Sequence, residues 1–206
     1  MADLQHSAFL RLPTELRYDI YEYLCLDEPV CYPFRRSPIS SISHGVPPRQ
    51  LLLACRKIHD EVQTHFYRRA TFRLLALGSS RMERADISPG SLAAIRRAKK
   101  VELMLMWNLT DQRVLAEPRT WPWCLAGWLH EQSQLLKDEA HQLELITISL
   151  RDASSPFPWE VKELLLMPLL KLKGKARFEV GEIITVQEDG EVMKNDFVKY
   201  VGELNG

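Results

Sequence analysis

The sequence predicts an α/β fold, with α+β as the alternative. Helices would cover a small, curved, largely parallel sheet. Three observations carry this expectation. Segments with apolar residues at helical spacing alternate with short runs rich in Thr, Val, Ile, Phe and Leu. The alternation recurs at roughly 30 to 40 residues, the size of one strand-and-helix unit. The chain has 206 residues, 46% of them apolar and 26% charged, which is enough to bury a core without disulfide or metal staples.

The first helix is expected over about 13–25. Pro13 suits a first helical turn, where its missing N–H costs nothing, and Glu15 favours the positive end of the helix. Leu16, Ile20 and Leu24 then repeat every four residues as one apolar stripe, widened by Tyr23. Residues 27–48 hold five of the twelve prolines together with a cluster of serines. Proline removes backbone donors and restricts its neighbours, so this stretch reads as a long loop. A continuous helix is expected over 49–68, with Leu51, Cys55, Ile58, Val62 and Phe66 on one face. Residues 70–77, ATFRLLAL, read as a strand.

Beyond Gly78 the pattern repeats. Helices are expected at 89–98, opening at Ser91, at 121–140, and at 159–170 with an interruption at Pro168. Strands are expected at 99–106, 143–150 and 176–180. VELMLM, ELITISL and ARFEV could stack as a leucine-rich-repeat-like array, although no repeat motif recurs at fixed spacing. At the C-terminus two signals compete. Asp189-Gly190 between alternating apolar residues suggests a hairpin, while Met193, Phe197, Val201 and Leu204 share one face of a helix at about 194–204.

Formal charge is zero, but it is divided. Residues 1–100 carry 16 Lys and Arg against 10 Asp and Glu, and residues 101–206 carry 11 against 17. The basic half can meet an acidic partner or the acidic half of its own chain, and the second is expected. Arg96, Arg97, Lys99 and Lys100 form the densest basic run and are the candidate contacts to an acidic partner, nucleic acid included. Of the tryptophans, Trp107, Trp121, Trp123, Trp128 and Trp159 are expected to fill the space between helices and sheet.

The motifs of several enzyme classes are incomplete. Cys25, Cys31, Cys55 and Cys124 form no C-x-x-C pair and are expected to be buried thiols. His59-Asp60-Glu61 supplies the first half of a zinc-deaminase signature, but only Cys124 follows it. His130-Glu131 begins a zinc-protease helix whose second histidine position is Gln134. Cys55 and His59, four apart, read as a packed thiol beside a satisfied imidazole. No phosphate loop, dinucleotide fingerprint or nucleophile elbow is present. Catalytic, cofactor-binding and metal-ligating residues are therefore none on this reading. No apolar run approaches the roughly 18 to 20 residues of a membrane span, and the N-terminus lacks the pattern of a secretory signal. An intracellular protein, cytoplasmic or nuclear, is expected.

What remains is interaction. The run from Leu12 to Leu24, LPTELRYDIYEYL, resembles the L-P-x-E-[IL]-R-x-x-I-Y-x-x-L opening of a group of fungal F-box-like proteins. The similarity continues through Leu52 to Val62, LLACRKIHDEV, then the aromatic pair Phe66-Tyr67 and the strand at Thr71 to Leu74. It covers about residues 9–75. The chain differs from a standard F-box in its 27–48 insertion and in lacking a Trp after the Cys-Arg segment. The resemblance implies two regions, an F-box-like helical segment at 9–77 and an α/β body at 78–206. It also implies that Leu12, Pro13, Leu16, Ile20 and Leu24 bind the Skp1 subunit of a cullin–RING ubiquitin ligase, with the body choosing the target. The stripe could instead cap the body as internal core. The alternative function is a regulatory or activating subunit of another enzyme complex, a nucleic-acid-modifying one being one option, that binds its partner through the same scaffold.

Overall fold

The computed structural model describes residues 7–24, 28–75, 84–108, 123–153, 158–186 and 190–206. A short helix α1 (Ala8–Arg11) leads into α2 (Thr14–Leu24). Two short strands follow, β1 (Val30–Cys31) and β2 (Ile39–Ile42). Then come α3 (Arg49–Leu52), α4 (Arg56–Arg69) and β3 (Thr71–Leu75). The body continues as α5 (Pro89–Arg97), β4 (Lys100–Trp107), α6 (Trp123–Glu139), β5 (Leu145–Asp152), α7 (Trp159–Leu166), β6 (Arg177–Thr185) and α8 (Gly190–Glu203). The fold is α/β.

The described strands form one sheet in the order β1-β2-β3-β4-β5-β6. β1, β2 and β3 pair antiparallel, and β3 through β6 pair parallel. Each parallel strand lies beside its predecessor in the chain. Crossovers of one hand then place their helices on one face of the sheet. The core agrees. Phe72 and Leu74, Val101, Leu103, Leu105 and Trp107, and Ile146, Ile148 and Leu150 alternate along their strands into a single cluster. Phe66 of α4, Ile95 of α5, Leu129 and Leu136 of α6, Leu165 of α7 and Phe197 of α8 join the same cluster. The intervening residues point to the other face. There Arg73, Glu102, Thr147 and Glu179 stand in register across four strands.

The sheet also crosses the boundary at residue 77, because β3 pairs with β4 over five residues, Thr71↔Lys100 to Leu75↔Met104. The 27–48 stretch is not all loop. Ile39 and Ile42 of β2 bury beside Leu74 and Phe72, and a register shift between Ile39 and Ser41 lets both reach the core. Burial of two isoleucines outweighs the local proline and serine preferences.

The expected 49–68 helix is split. Cys55 is extended (φ −164°, ψ 166°) between α3 and α4. The freed carbonyl of Leu52 accepts a hydrogen bond from His59 Nδ1 at 3.0 Å, so the break leaves that group satisfied. In α5 the cap is Ser88 rather than Ser91. Ser88 Oγ accepts the Ser91 N–H, and Pro89 fills the first turn. α7 tightens into a 3-10 turn, Met167–Leu172, around Pro168. Among the described residues no strand follows β6, and Asp189 of the expected turn lies outside them. α8 runs from Gly190; Met193, Phe197 and Val201 bury along it, and Leu204 buries just past its end, as the expected helical face requires.

Candidate docking surface

α2 is held against α4 by polar contacts. Arg17 and Tyr21 are its buried residues. Arg17 Nε donates to Glu61 Oε2 at 2.8 Å and Nη2 to Glu61 Oε1 at 2.6 Å. Such a two-pronged pair is directional as well as strong. Nη2 also donates to Thr14 Oγ1 at 3.0 Å, and Nη1 to the Leu12 carbonyl. Tyr21 donates its hydroxyl to Glu61 Oε2 at 3.0 Å. One carboxylate on α4 thus fixes two residues one turn apart on α2.

The electrostatics follow from these bonds. The hydrogen bond from Arg17 holds the Glu61 carboxyl below its ordinary value, against the opposing effect of burial. Burial and the bond to Glu61 push the Tyr21 phenol up. His65 of α4 sits beside Tyr18 and Tyr21, with ring centroids 5.1 and 6.3 Å away. Burial lowers its pKa, and the nearby Arg69 adds to that. Arg69 in turn pairs with Glu22 of α2.

With that face anchored, the apolar stripe turns outward. Leu16 is 49% exposed, Leu24 47% and Tyr23 88%. Pro13 is exposed, and Leu12 and Ile20 are half-buried. At roughly 100° per residue, Leu16, Ile20 and Tyr23 lie within about 60° of one another, about a third of a turn from the Arg17–Tyr21 line. Leu16, Tyr23 and Leu24 are thus not buried in the core. Sequence periodicity finds the apolar residues correctly and misses the buried ones. Yet Arg17, Tyr21 and Glu61 are themselves letters of the two quoted motifs, which is the signal that could have found them.

Comparison with protein-family models, curated proteins and solved structures gives no match.

The basic run lies within the fold's own contacts. Arg96 Nε pairs with Glu139 Oε2 at 2.6 Å, and Arg84 reaches the same carboxylate. Arg97 lies over the Tyr67 ring, 4.6 Å from its centroid, and Lys99 pairs with Glu144. Lys100 is half-buried on β4. Glu139 and Glu144 belong to the acidic half, so the two halves neutralise each other as the charge division suggested. On the opposite sheet face, Arg73 Nε of β3 pairs with Glu102 Oε2 at 2.8 Å, and Ser149 Oγ donates to Oε1 of the same carboxylate at 2.6 Å.

The cysteines differ from expectation. Cys31 is exposed, Cys55 and Cys124 are half-buried, and Cys25 lies outside the described residues. Of the tryptophans, Trp107 is core, while Trp123, Trp128 and Trp159 pack against it half-buried, and Trp121 lies outside the described residues. Among the described residues no three of His, Cys, Asp and Glu converge on a metal-sized site, and no helix is long and apolar enough to cross a membrane. Glu61, the carboxylate of the half deaminase motif, is engaged by Arg17 and Tyr21. The most deeply buried charge pair is structural in its surroundings. Lys162 Nζ donates to Asp152 Oδ2 at 2.6 Å and stands 5.5 Å from the centroid of the Trp107 ring.

Proposed function

We propose that this chain is a non-enzymatic protein-interaction subunit, an F-box-like adaptor that binds the Skp1 subunit of a cullin–RING ubiquitin ligase. The outward edge of α2 is the docking surface, and the α/β body presents the target. One observation carries the reading: α2 is fixed by a buried polar network that leaves Leu16, Tyr23 and Leu24 in solvent. A helix serving only as a cap would put its leucines inward and its Arg outward. Here the arrangement is reversed, which makes sense when the apolar edge has a second partner. The resemblance of residues 9–75 to F-box-like proteins names that partner. An intracellular location goes with it. Mixing the purified chain with purified Skp1 and following co-elution by size-exclusion chromatography tests the proposal. A joint peak that Leu16→Asp abolishes supports it, and separate elution of the two wild-type proteins refutes it.

A further inference from the structure

A second surface lies between α7 with its 3-10 extension and α8. The inner side of these two elements, Leu165 and Leu166 of α7 and Leu169 and Leu172 of the extension, is buried in the core. Its outer side is apolar too. Leu164, Met167 and Leu170 are 53%, 51% and 50% exposed and follow one another at three-residue spacing. Opposite them, Tyr200 of α8 and Leu204 just past its end complete a groove of about 570 Å³.

The rim is acidic. Glu160, Glu163 and Glu203 line the groove against one cation, Lys173, whose Nζ donates to the Glu203 carbonyl at 3.2 Å. None of these three carboxylates has an ion-pair partner among the described residues. Elsewhere among the described residues the acidic half is largely neutralised, as at Glu139 and Glu144. The groove therefore concentrates charge that the fold leaves uncompensated. Its floor adds a third feature. Tyr200 lines the groove, and its hydroxyl is buried and has no hydrogen-bond partner among the described residues. A buried hydroxyl without a partner costs free energy, and a polar group brought by a ligand would recover it. Burial, with Glu163 and Glu203 nearby, pushes this phenol up to about 12, so it stays protonated.

The geometry points to a basic amphipathic helix of a partner protein as the occupant of this groove. Its apolar side chains would pack between Leu164, Met167 and Leu170, its Lys or Arg side chains would face Glu160, Glu163 and Glu203, and an ammonium would donate to Tyr200 Oη. Helix-in-groove recognition needs an apolar trough with charge on its edges, and the sign of that charge selects the partner. The assignment stands apart from the reading of α2, because neither surface contributes a residue to the other.

A fluorescein-labelled Leu–Lys peptide of roughly five helical turns is the probe, titrated with the full chain and followed by anisotropy. Its Leu–Glu counterpart is the control. Binding of the Lys form alone, weakening with added salt, is expected. Leu170→Asp should weaken it by about tenfold or more, as loss of a central apolar contact does. Glu160→Lys combined with Glu163→Lys should weaken it and flatten the salt dependence. Circular dichroism of each variant checks that the fold is kept, which the exposure of these positions favours. The assignment falls if the Lys peptide does not bind, if the Glu form binds equally, or if both variants bind undiminished. It also falls if the chain forms a dimer that Leu170→Asp disperses, since the groove would then belong to a second copy.

Discussion

Arg17 of α2 and Glu61 of α4, 44 residues apart, meet through two hydrogen bonds of 2.8 and 2.6 Å, and Tyr21 joins them at the same carboxylate. This three-residue knot decides which way α2 faces. It buries a guanidinium and a phenol and leaves Leu16 and Leu24 about half exposed. The proposed adaptor role rests on that inversion.

The knot has a measurable strength. Tyr21→Phe keeps the ring and its contact with Phe9 at 5.9 Å, and removes only the hydroxyl that donates to Glu61. A hydrogen bond to a charged acceptor contributes about 1.5–3 kcal/mol, so urea unfolding should show a loss in that range. Hydrogen exchange should quicken in α2 while the β4 and β5 amides stay protected. An unchanged midpoint would mean that Tyr21 holds α2 through packing alone.

Acid should weaken the α2–α4 contact. Glu61 has a folded pKa below its unfolded value of 4.5, because Arg17 hydrogen-bonds its charged form. Its contribution is present above that unfolded value and is lost as pH falls through the lower folded one. His65 follows the same sign for a different reason. Burial keeps it neutral, so its folded pKa lies below 6.5 and protonation in acid disfavours the packed state. Stability measured by thermal melting should therefore fall first below about pH 6.5, through His65, and further below about pH 4.5, through Glu61. In His65→Gln the upper step should shrink, and in Glu61→Gln the lower one should.

The buried pair under β5 makes a sharper test of packing. Lys162 and Asp152 have side chains 1% and 0% exposed. Lys162→Met leaves the Asp152 carboxylate buried without its ammonium, and should cost about 3–5 kcal/mol in denaturant unfolding. Adding Asp152→Leu should restore a large part of that loss, because a well-packed apolar pair can replace a buried ion pair. Equal loss in the single and double variants would show that Asp152 matters through contacts other than Lys162.

Gly181 marks the irregularity between β5 and β6. A Cβ placed there would lie 2.2 Å from Ser149 Oγ and 2.8 Å from Thr147 Cγ2. That Oγ accepts the Glu182 N–H at 3.2 Å and donates to Glu102. Gly181→Ala must push Ser149 out of both bonds, at about 1–3 kcal/mol. A melting temperature equal to that of the unaltered chain would contradict the close approach.

Much of the fold is legible in the sequence because burial follows period. Val101, Leu103, Leu105 and Trp107 alternate along β4, and Leu125, Leu129 and Leu136 recur along α6, so both elements can be read locally. The misses share a cause: the deciding contact is distant in sequence. β2 forms because Ile39 and Ile42 meet Leu74 and Phe72, 30 or more residues away, which the prolines around them conceal. α8 starts at Gly190 because its apolar face meets the core, which a two-residue turn signal cannot register. At the candidate site the apolar residues are legible and their exposure is not. Only Glu61, supplied by another helix, tells that Arg17 and Tyr21 go inside.

The most direct test is a calorimetric titration of Skp1 into the chain and into a Leu16→Asp, Leu24→Asp variant, with a thermal melt of each. Binding to the unaltered chain, none to the variant, and melting temperatures within about 2 °C are expected, since surface substitutions shift stability little. A variant that melts far lower would show the stripe to be core after all. A variant that keeps its fold and binds Skp1 as well as the unaltered chain would remove α2 as the docking surface.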